Sequence, residues 1–133
     1  MELALQQDEG LVPLRDVAQR QEISLPYLEQ LVTPLIAAGL VKSTRGTRGG
    51  VSLARLPSEI RLSEVVRALE GSLAPVECVN DPTLCHRSDG CVSRDVWREM
   101  LEAMMQVLDS MTLQDLVERQ QEGRQAEMEM YYI

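Results

Sequence analysis

The sequence contains no phenylalanine, and one tryptophan and three tyrosines are its whole aromatic complement. Any core must therefore be built from Leu, Val, Ile, Ala and Met. No apolar run approaches the roughly 20 residues that a bilayer helix needs, and there is no charged-then-apolar leader. These absences point to a soluble cytosolic chain without a membrane partner, where thiols stay reduced. Catalytic constellations are missing as well. There is no Ser/His/Asp arrangement, no phosphate-cradling glycine motif ahead of a helix and no H-E-x-x-H. Histidine occurs once, at position 86, and cysteine only at 78, 85 and 91, all within the stretch CVNDPTLCHRSDGC. A thiol enzyme would have those nucleophiles and one nearby base, His86, and no small-molecule substrate suggests itself, so we expect a protein that is not an enzyme.

An excess of positive charge is lacking too: the 133 residues carry a net charge of −8. Its distribution matters more than its sum. Residues 1–58 hold six basic and six acidic side chains, whereas residues 59–133 hold seven and fifteen and supply the whole imbalance. Within the neutral part, Lys42, Arg45, Arg48 and Arg55 follow one another with no acid between them. One basic segment is thus free to meet an anion.

At 44% hydrophobic and 26% charged the chain is globular. The opening ELALQQ reads as the last turns of an apolar helix closed near Gly10. A chain that starts in mid-helix without a cap suggests a truncated or mis-assigned start. Leu14 to Arg20 predicts a short helix with Leu14, Val17 and Ala18 on one face. Gln21 to Ile23 breaks it, Ser24 is a fitting N-cap and Pro26 suits the first turn of the next helix. Leu28, Leu31, Leu35 and Ala38 then recur at helical spacing, Pro34 predicts a bend, and Gly39 is a stop signal. Two helices joined by so short a turn describe a helix-turn-helix. The strand candidates Leu40–Thr44 and Val51–Arg55 flank the glycine-rich RGTRGG, which predicts a hairpin wing.

Beyond the wing, Leu62, Val65, Val66 and Leu69 predict an amphipathic helix ended by Gly71. Residues 72 to 91, with Pro75, Pro82 and Gly90, read as a loop. From Ser93 a long helix follows, with Val96, Trp97, Met100, Leu101, Met104, Leu108 and Met111 on one stripe. Thr112 and Asp115 form a capping box for a short final helix carrying Leu113, Leu116 and Val117. The tail QQEGRQAEMEMYYI is polar with an apolar tip, either mobile or docked on a partner subunit. One small domain cannot easily bury the long stripe, so we expect a homodimer through Trp97, Met100, Leu101, Met104 and Leu108.

The cysteine spacing, C-x6-C-x5-C, leaves four chemistries open. A disulfide would strand an odd thiol. Structural zinc usually shows C-x2-C pairs, absent here. Free thiols could act as a redox switch or do nothing. An iron–sulfur cluster takes thiolate ligands, and a loop with Pro82 and Gly90 is long enough to wrap one. Three cysteines leave one cluster position open. His86 beside Cys85 is an awkward donor, and Glu77, Asp89 and Asp95 are local alternatives.

The stretch VPLRDVAQRQEISLPYLEQLVTPLIAAGLVKSTRGTRGG resembles the winged-helix regulators of the IscR/NsrR type. So do EIRLSEVVRALEG, the three-cysteine loop, Trp97 and TLQDLVERQ, over roughly residues 1 to 120. The resemblance implies a dimeric bacterial transcription factor on an operator, more often a repressor than an activator, and many such proteins hold a [2Fe–2S] cluster in that loop. Two departures stand out. Family members usually begin about a dozen residues earlier with a basic segment. IscR-like members carry a histidine at the third position after the last cysteine, where this chain has Arg94, which cannot ligate.

The expected architecture is mainly α. A winged helix-turn-helix domain (1–72) leads to a cysteine-rich loop (73–92), then to a dimerisation helix with a short final helix (93–122) and a tail (123–133). Residues expected to face DNA are Ser24, Pro26, Tyr27, Glu29, Gln30 and Thr33 on the recognition helix, and Arg45, Thr47, Arg48 and Gly49 on the wing. Gln30 suits adenine, Glu29 cytosine, and Thr33 a thymine methyl or a phosphate. Arginines flanked by glycines suit a narrow minor groove. Cys78, Cys85 and Cys91 are the expected cluster ligands, the fourth being unassigned. The expected activity is regulated DNA binding, tuned by the cluster or by thiol redox state. A cluster-independent thiol regulator and a winged-helix protein-interaction module are the alternatives.

Overall fold

The structure is a computed structural model that describes residues 1–131. Seven helices and one two-stranded sheet are present among them. The short α1 (Glu2–Leu5) runs into a single 3-10 turn, Gln7–Glu9, ended at Gly10. The helix-turn-helix is α2 (Leu14–Arg20) and α3 (Leu25–Ala37). Ser24 caps α3, its hydroxyl accepting the Tyr27 N–H at 3.4 Å. The helix continues through Pro34, which lies in its last turn, so the missing N–H removes a single late bond. Gly39 then takes φ of 70° and lets the Leu40 N–H return to the Leu35 carbonyl at 3.0 Å.

The wing is β1 (Val41–Thr44) paired antiparallel with β2 (Gly50–Leu53), in register Val41 with Leu53 and Thr44 with Gly50. Both strands are shorter than the sequence pattern implied. A third strand position was not legible. Val12 exchanges two backbone bonds with Val51, at 2.9 and 2.8 Å, and extends the sheet by one residue.

Two apolar clusters organise the molecule. Val12, Val17, Ala18, Leu28, Val32, Val41 and Val51 join the helix-turn-helix to the wing. The α3 stripe differs from the expected one, because Val32 is buried in the core whereas Leu31 is only partly buried outside both clusters and Ala38 is exposed. The second cluster joins Ala4, Leu40 and Ile60 to Leu113 and Val117. Ile60, just ahead of α4 (Leu62–Glu70), is fully buried.

That second cluster changes the domain plan. The long helix α6 (Val92–Ser110) leaves the winged domain, and α7 (Leu113–Tyr131) comes back to it. The return is fixed by backbone pairing: Leu62 N–H to the Met111 carbonyl and Leu113 N–H to the Ile60 carbonyl, each at 3.0 Å. Arg61 Nη1 adds a bond to the Asp109 carbonyl at 2.7 Å. The expected cap is present, Thr112 N–H donating to Asp115 Oδ2 at 2.7 Å. The Thr112 N–H and hydroxyl hold the Asp115 carboxyl below its ordinary pKa. Residues 123–131, expected as a tail, continue α7 as helix, and the last two residues of the apolar tip lie outside the described residues. Among the described residues no helix is long and apolar enough to cross a membrane.

Arg55, after β2, reaches Glu64 of α4 at 2.6 Å. That bond, and then the Arg61 N–H, depress the Glu64 pKa. The wing is therefore tied to α4 by charge and to the segment ahead of α2 by the Val12–Val51 pair. Gly50 is what permits that pair, because a Cβ there would lie 2.6 Å from the Val12 carbonyl oxygen. Gly50→Ala is expected to destabilise the fold by about 1–3 kcal/mol in urea unfolding, the usual cost of overpacking against fixed backbone.

Candidate DNA interface and cysteine loop

One face of α3 is covered by Leu28 and Val32; the opposite face is bare. Ser24, Pro26, Tyr27, Glu29, Gln30 and Thr33 are all exposed. The Thr33 hydroxyl donates to the Glu29 carbonyl at 2.9 Å, so its donor is already used within the helix. Gln30 and Glu29 keep their polar ends free for an outside partner.

At the wing, Arg45, Thr47 and Arg48 are exposed on a tight turn closed by the Gly49 N–H to the Gly46 carbonyl at 3.0 Å. Gly46 takes φ of 119°, and a Cβ on Gly49 would collide with the Thr44 carbonyl oxygen. The glycines are thus structural requirements of the tip. Among the described residues neither Arg45 nor Arg48 has a carboxylate partner. Arg20, by contrast, is paired with Glu2 at 3.2 Å, and Arg55 with Glu64. The free cations of the basic segment are concentrated at the wing, on a hairpin continuous with the core that carries α3.

The cysteine segment contains more structure than a loop. Cys78 lies in α5 (Glu77–Asn80), Cys85 follows a 3-10 turn at Pro82–Leu84, and Cys91 is the N-cap of α6. All three are free thiols and partly exposed. Asp81 caps the 3-10 turn, and the Thr83 hydroxyl and N–H hold its carboxyl below the ordinary value. Ser88 is buried amid exposed neighbours. Its N–H bonds to the Cys85 carbonyl at 3.0 Å, and its carbonyl accepts the Cys91 N–H at 3.4 Å. Arg94 Nε bonds to the Cys78 carbonyl at 2.8 Å. Each cysteine is held through its backbone, leaving its sulfur free.

The local alternatives for a fourth ligand divide. Glu77, His86 and Asp89 are exposed, whereas Asp95 is paired with Arg98 at 3.1 Å. Three thiols are suitable donor chemistry for an iron–sulfur cluster. Their arrangement is not yet a site, because no three His, Cys, Asp or Glu side chains are gathered around a common point among the described residues.

Helix α6 has no fully buried residue. It lies on α4 with one side and leaves Val92, Val96, Trp97, Met100, Met104 and Val107 between 37% and 75% exposed. Of the expected dimer residues, Trp97, Met100 and Met104 lie on this bare stripe, whereas Leu101 and Leu108 are partly covered. Val92 and Val107 were missed. Val92 sits at the helix start, where the sequence reads as loop, and Val107 falls between the two heptad positions that drew attention.

An exposed second helix and a cationic hairpin are the parts of a winged helix-turn-helix. The comparisons place it further. The family described as "Rrf2: Iron-dependent Transcriptional regulator" matches residues 1–119. The chain is 41% identical to the HTH-type transcriptional regulator CymR of Bacillus subtilis, over 100% of its own length and 90% of that protein's. The solved structure of that CymR, described as the global cysteine regulator of B. subtilis, superposes with a TM-score of 0.71 and 42% identity, covering 89% of this chain and 86% of the other. T. potens IscR superposes with a TM-score of 0.74 and 40% identity, covering 92% and 80%. The chain belongs to the Rrf2 family of transcriptional regulators. The two-stranded wing and mainly helical build agree with those neighbours, and relatives named as regulators agree with the lack of catalytic motifs.

Proposed function

We propose that the chain is a homodimeric repressor that grips a double-stranded operator with α3 and the wing, and whose affinity is set by the cysteine loop. The observation that carries this is the position of Cys91. It caps α6, so any chemistry at the loop acts on the start of the helix that carries the unpartnered stripe. The family description, which names iron, favours a [2Fe–2S] cluster over the other chemistries. Cys78, Cys85 and Cys91 would hold it, and it would supply a group sensitive to oxidants and to iron supply. The absence of gathered ligands favours a second reading, in which the free thiols respond to oxidation without metal.

The DNA half of the mechanism follows from charge and shape. Phosphate neutralisation supplies most non-specific affinity, and here it falls to Arg45 and Arg48, with Thr47 and the Gly49 backbone beside them. Base-edge contacts supply specificity, and the bare α3 face offers Ser24, Pro26, Tyr27, Glu29, Gln30 and Thr33. Two copies joined along α6 would present two recognition helices to two half-sites. Reordering of the loop would tilt α6 and change the separation of those helices.

Three outcomes are expected. Arg45→Glu with Arg48→Glu should weaken DNA binding at least about tenfold and lower the salt dependence by about two charges, with the thermal transition unchanged; a filter-binding series in salt measures both. Met100→Glu with Met104→Glu should raise the dimer dissociation constant roughly a hundredfold or more, since charges would be buried unpaired; sedimentation equilibrium reads it. Anaerobically purified protein should contain about two irons and two sulfides per chain, lost in the triple Cys→Ser variant. Its operator affinity should change about 5–150-fold on loading. Equal affinity of loaded and metal-free protein would sink the sensor assignment, and a colourless protein whose affinity changes on oxidation would favour the thiol reading.

A further inference from the structure

One contact of the cysteine segment differs in kind from the rest. Asp81 with Thr83, and Ser72 with Asn80, tie near neighbours to each other. Arg94 reaches from the first turn of α6 back across the whole segment to the Cys78 carbonyl, sixteen residues earlier, at 2.8 Å. The bond is partly buried, and α5 packs on α6 around it. Among the described residues Arg94 has no carboxylate partner, unlike Arg98 one turn along, which pairs with Asp95 and Glu102. Its guanidinium is thus committed to the backbone of the first cysteine.

The two routes that hold the loop are separate. Cys85 is joined to Cys91 through the N–H and carbonyl of Ser88. Cys78 is joined to the same helix start by Arg94. Without Arg94, Cys78 is connected to α6 by the covalent chain and by the contact of α5 with α6. Bringing the ends of a flexible segment together costs entropy, and a contact that holds them in advance removes part of that cost from any later gathering event.

We propose that Arg94 is the positioning residue of the cysteine loop: by holding the Cys78 backbone to the first turn of α6, it sets the first and third cysteines on one rigid base. The functional meaning rests on the loop being the sensor; the latch itself is a property of the metal-free thiol form. Arg94 has a mechanical role. It does not touch the gathered group but decides how readily the chain's own sulfurs come together.

The test compares full-length wild type with Arg94→Leu, which keeps an aliphatic stem without donors, and Arg94→Lys, which keeps the charge with a different donor. Amide hydrogen exchange of residues 77–81, measured in reduced, metal-free protein by mass spectrometry, should speed up roughly threefold to tenfold in the leucine variant, the effect of losing one such bond. The lysine variant should fall between, and exchange in α2, α3 and the centre of α6 should stay at the wild-type rate. A second readout is uptake of ferric iron and sulfide under anaerobic conditions, which together balance a diferric two-iron, two-sulfide group, slower in the leucine variant by a similar factor. Unchanged exchange at 77–81 would overturn the proposal, as would an equal rise throughout α6 and the winged domain, which marks general loosening. If wild type takes up no iron while residues 77–81 respond as expected, the latch stands and the cluster assignment falls. If wild type loads and residues 77–81 do not respond, the latch falls and the cluster assignment stands.

Discussion

The arrangement depends on one joint, where Ile60 and Arg61 pair with Met111 to Leu113. Two backbone bonds and the Arg61 contact to Asp109 define it, but packing gives it strength. Burying a side chain such as Ile60, Leu113 or Val117 contributes roughly 1.5–3 kcal/mol each, against about 0.5–1.5 kcal/mol net for an ordinary hydrogen bond. The three residues meet Ala4 and Leu40 in one cluster. Helix α7 is therefore part of the winged domain's core, and α6 becomes an arm whose far end is anchored. The cysteine loop holds its near end. Between the two, the helix carries an apolar stripe that none of the described residues covers.

Local signals were legible in the sequence and long-range closures were not. Ser24 and Gly39 mark the ends of α3 by their own chemistry, and Thr112 with Asp115 marks the start of α7. The exposed faces of α3 and the wing follow from the same periodicity that buries Leu28 and Val51. The destination of α7 has no such signal. Leu113, Leu116 and Val117 show an apolar face but not that it meets Ile60 and Leu40, more than fifty residues earlier in the chain. The Val12–Val51 pair occupies one residue and has no period to detect. Gly123 and a polar composition made 123–131 look like a tail, yet a polar helix needs no buried face to continue from an anchored one. Arg94 drew attention only as a residue unable to ligate; its bond to Cys78 joins two elements whose packing no spacing rule gives.

The charge pattern gains sense from the fold. The net charge of −8 resides after residue 58, on α4, the loop, α6 and α7, whereas the exposed early arginines with no carboxylate partner among the described residues are Arg45 and Arg48 at the wing and Arg15 on α2. At physiological salt the screening length is about 8 Å. Acidic groups farther than that from the wing hardly weaken a direct Arg–phosphate contact, yet they discourage other surfaces from lying along DNA. An acidic body with a small cationic contact region limits non-specific adhesion while leaving the specific approach intact.

If the loop tunes DNA binding as proposed, the route runs along α6, whose far end joins the winged domain. A coupling of about 1–3 kcal/mol is the usual scale of allosteric control, and it equals the worth of one or two hydrogen bonds, including those made by charged donors. Arg61 to Asp109 is one such bond at the anchored end of α6, and Arg94 to Cys78 is one at the loop end. The two apolar clusters supply the larger packing energy, and these two bonds sit at the ends of α6. Both fix the orientation of α6, which the stripe would share with a second copy. Under that proposal a rearrangement of the loop would turn the arm at little cost to the cores, because the bonds at its two ends are weak beside the packing that anchors it.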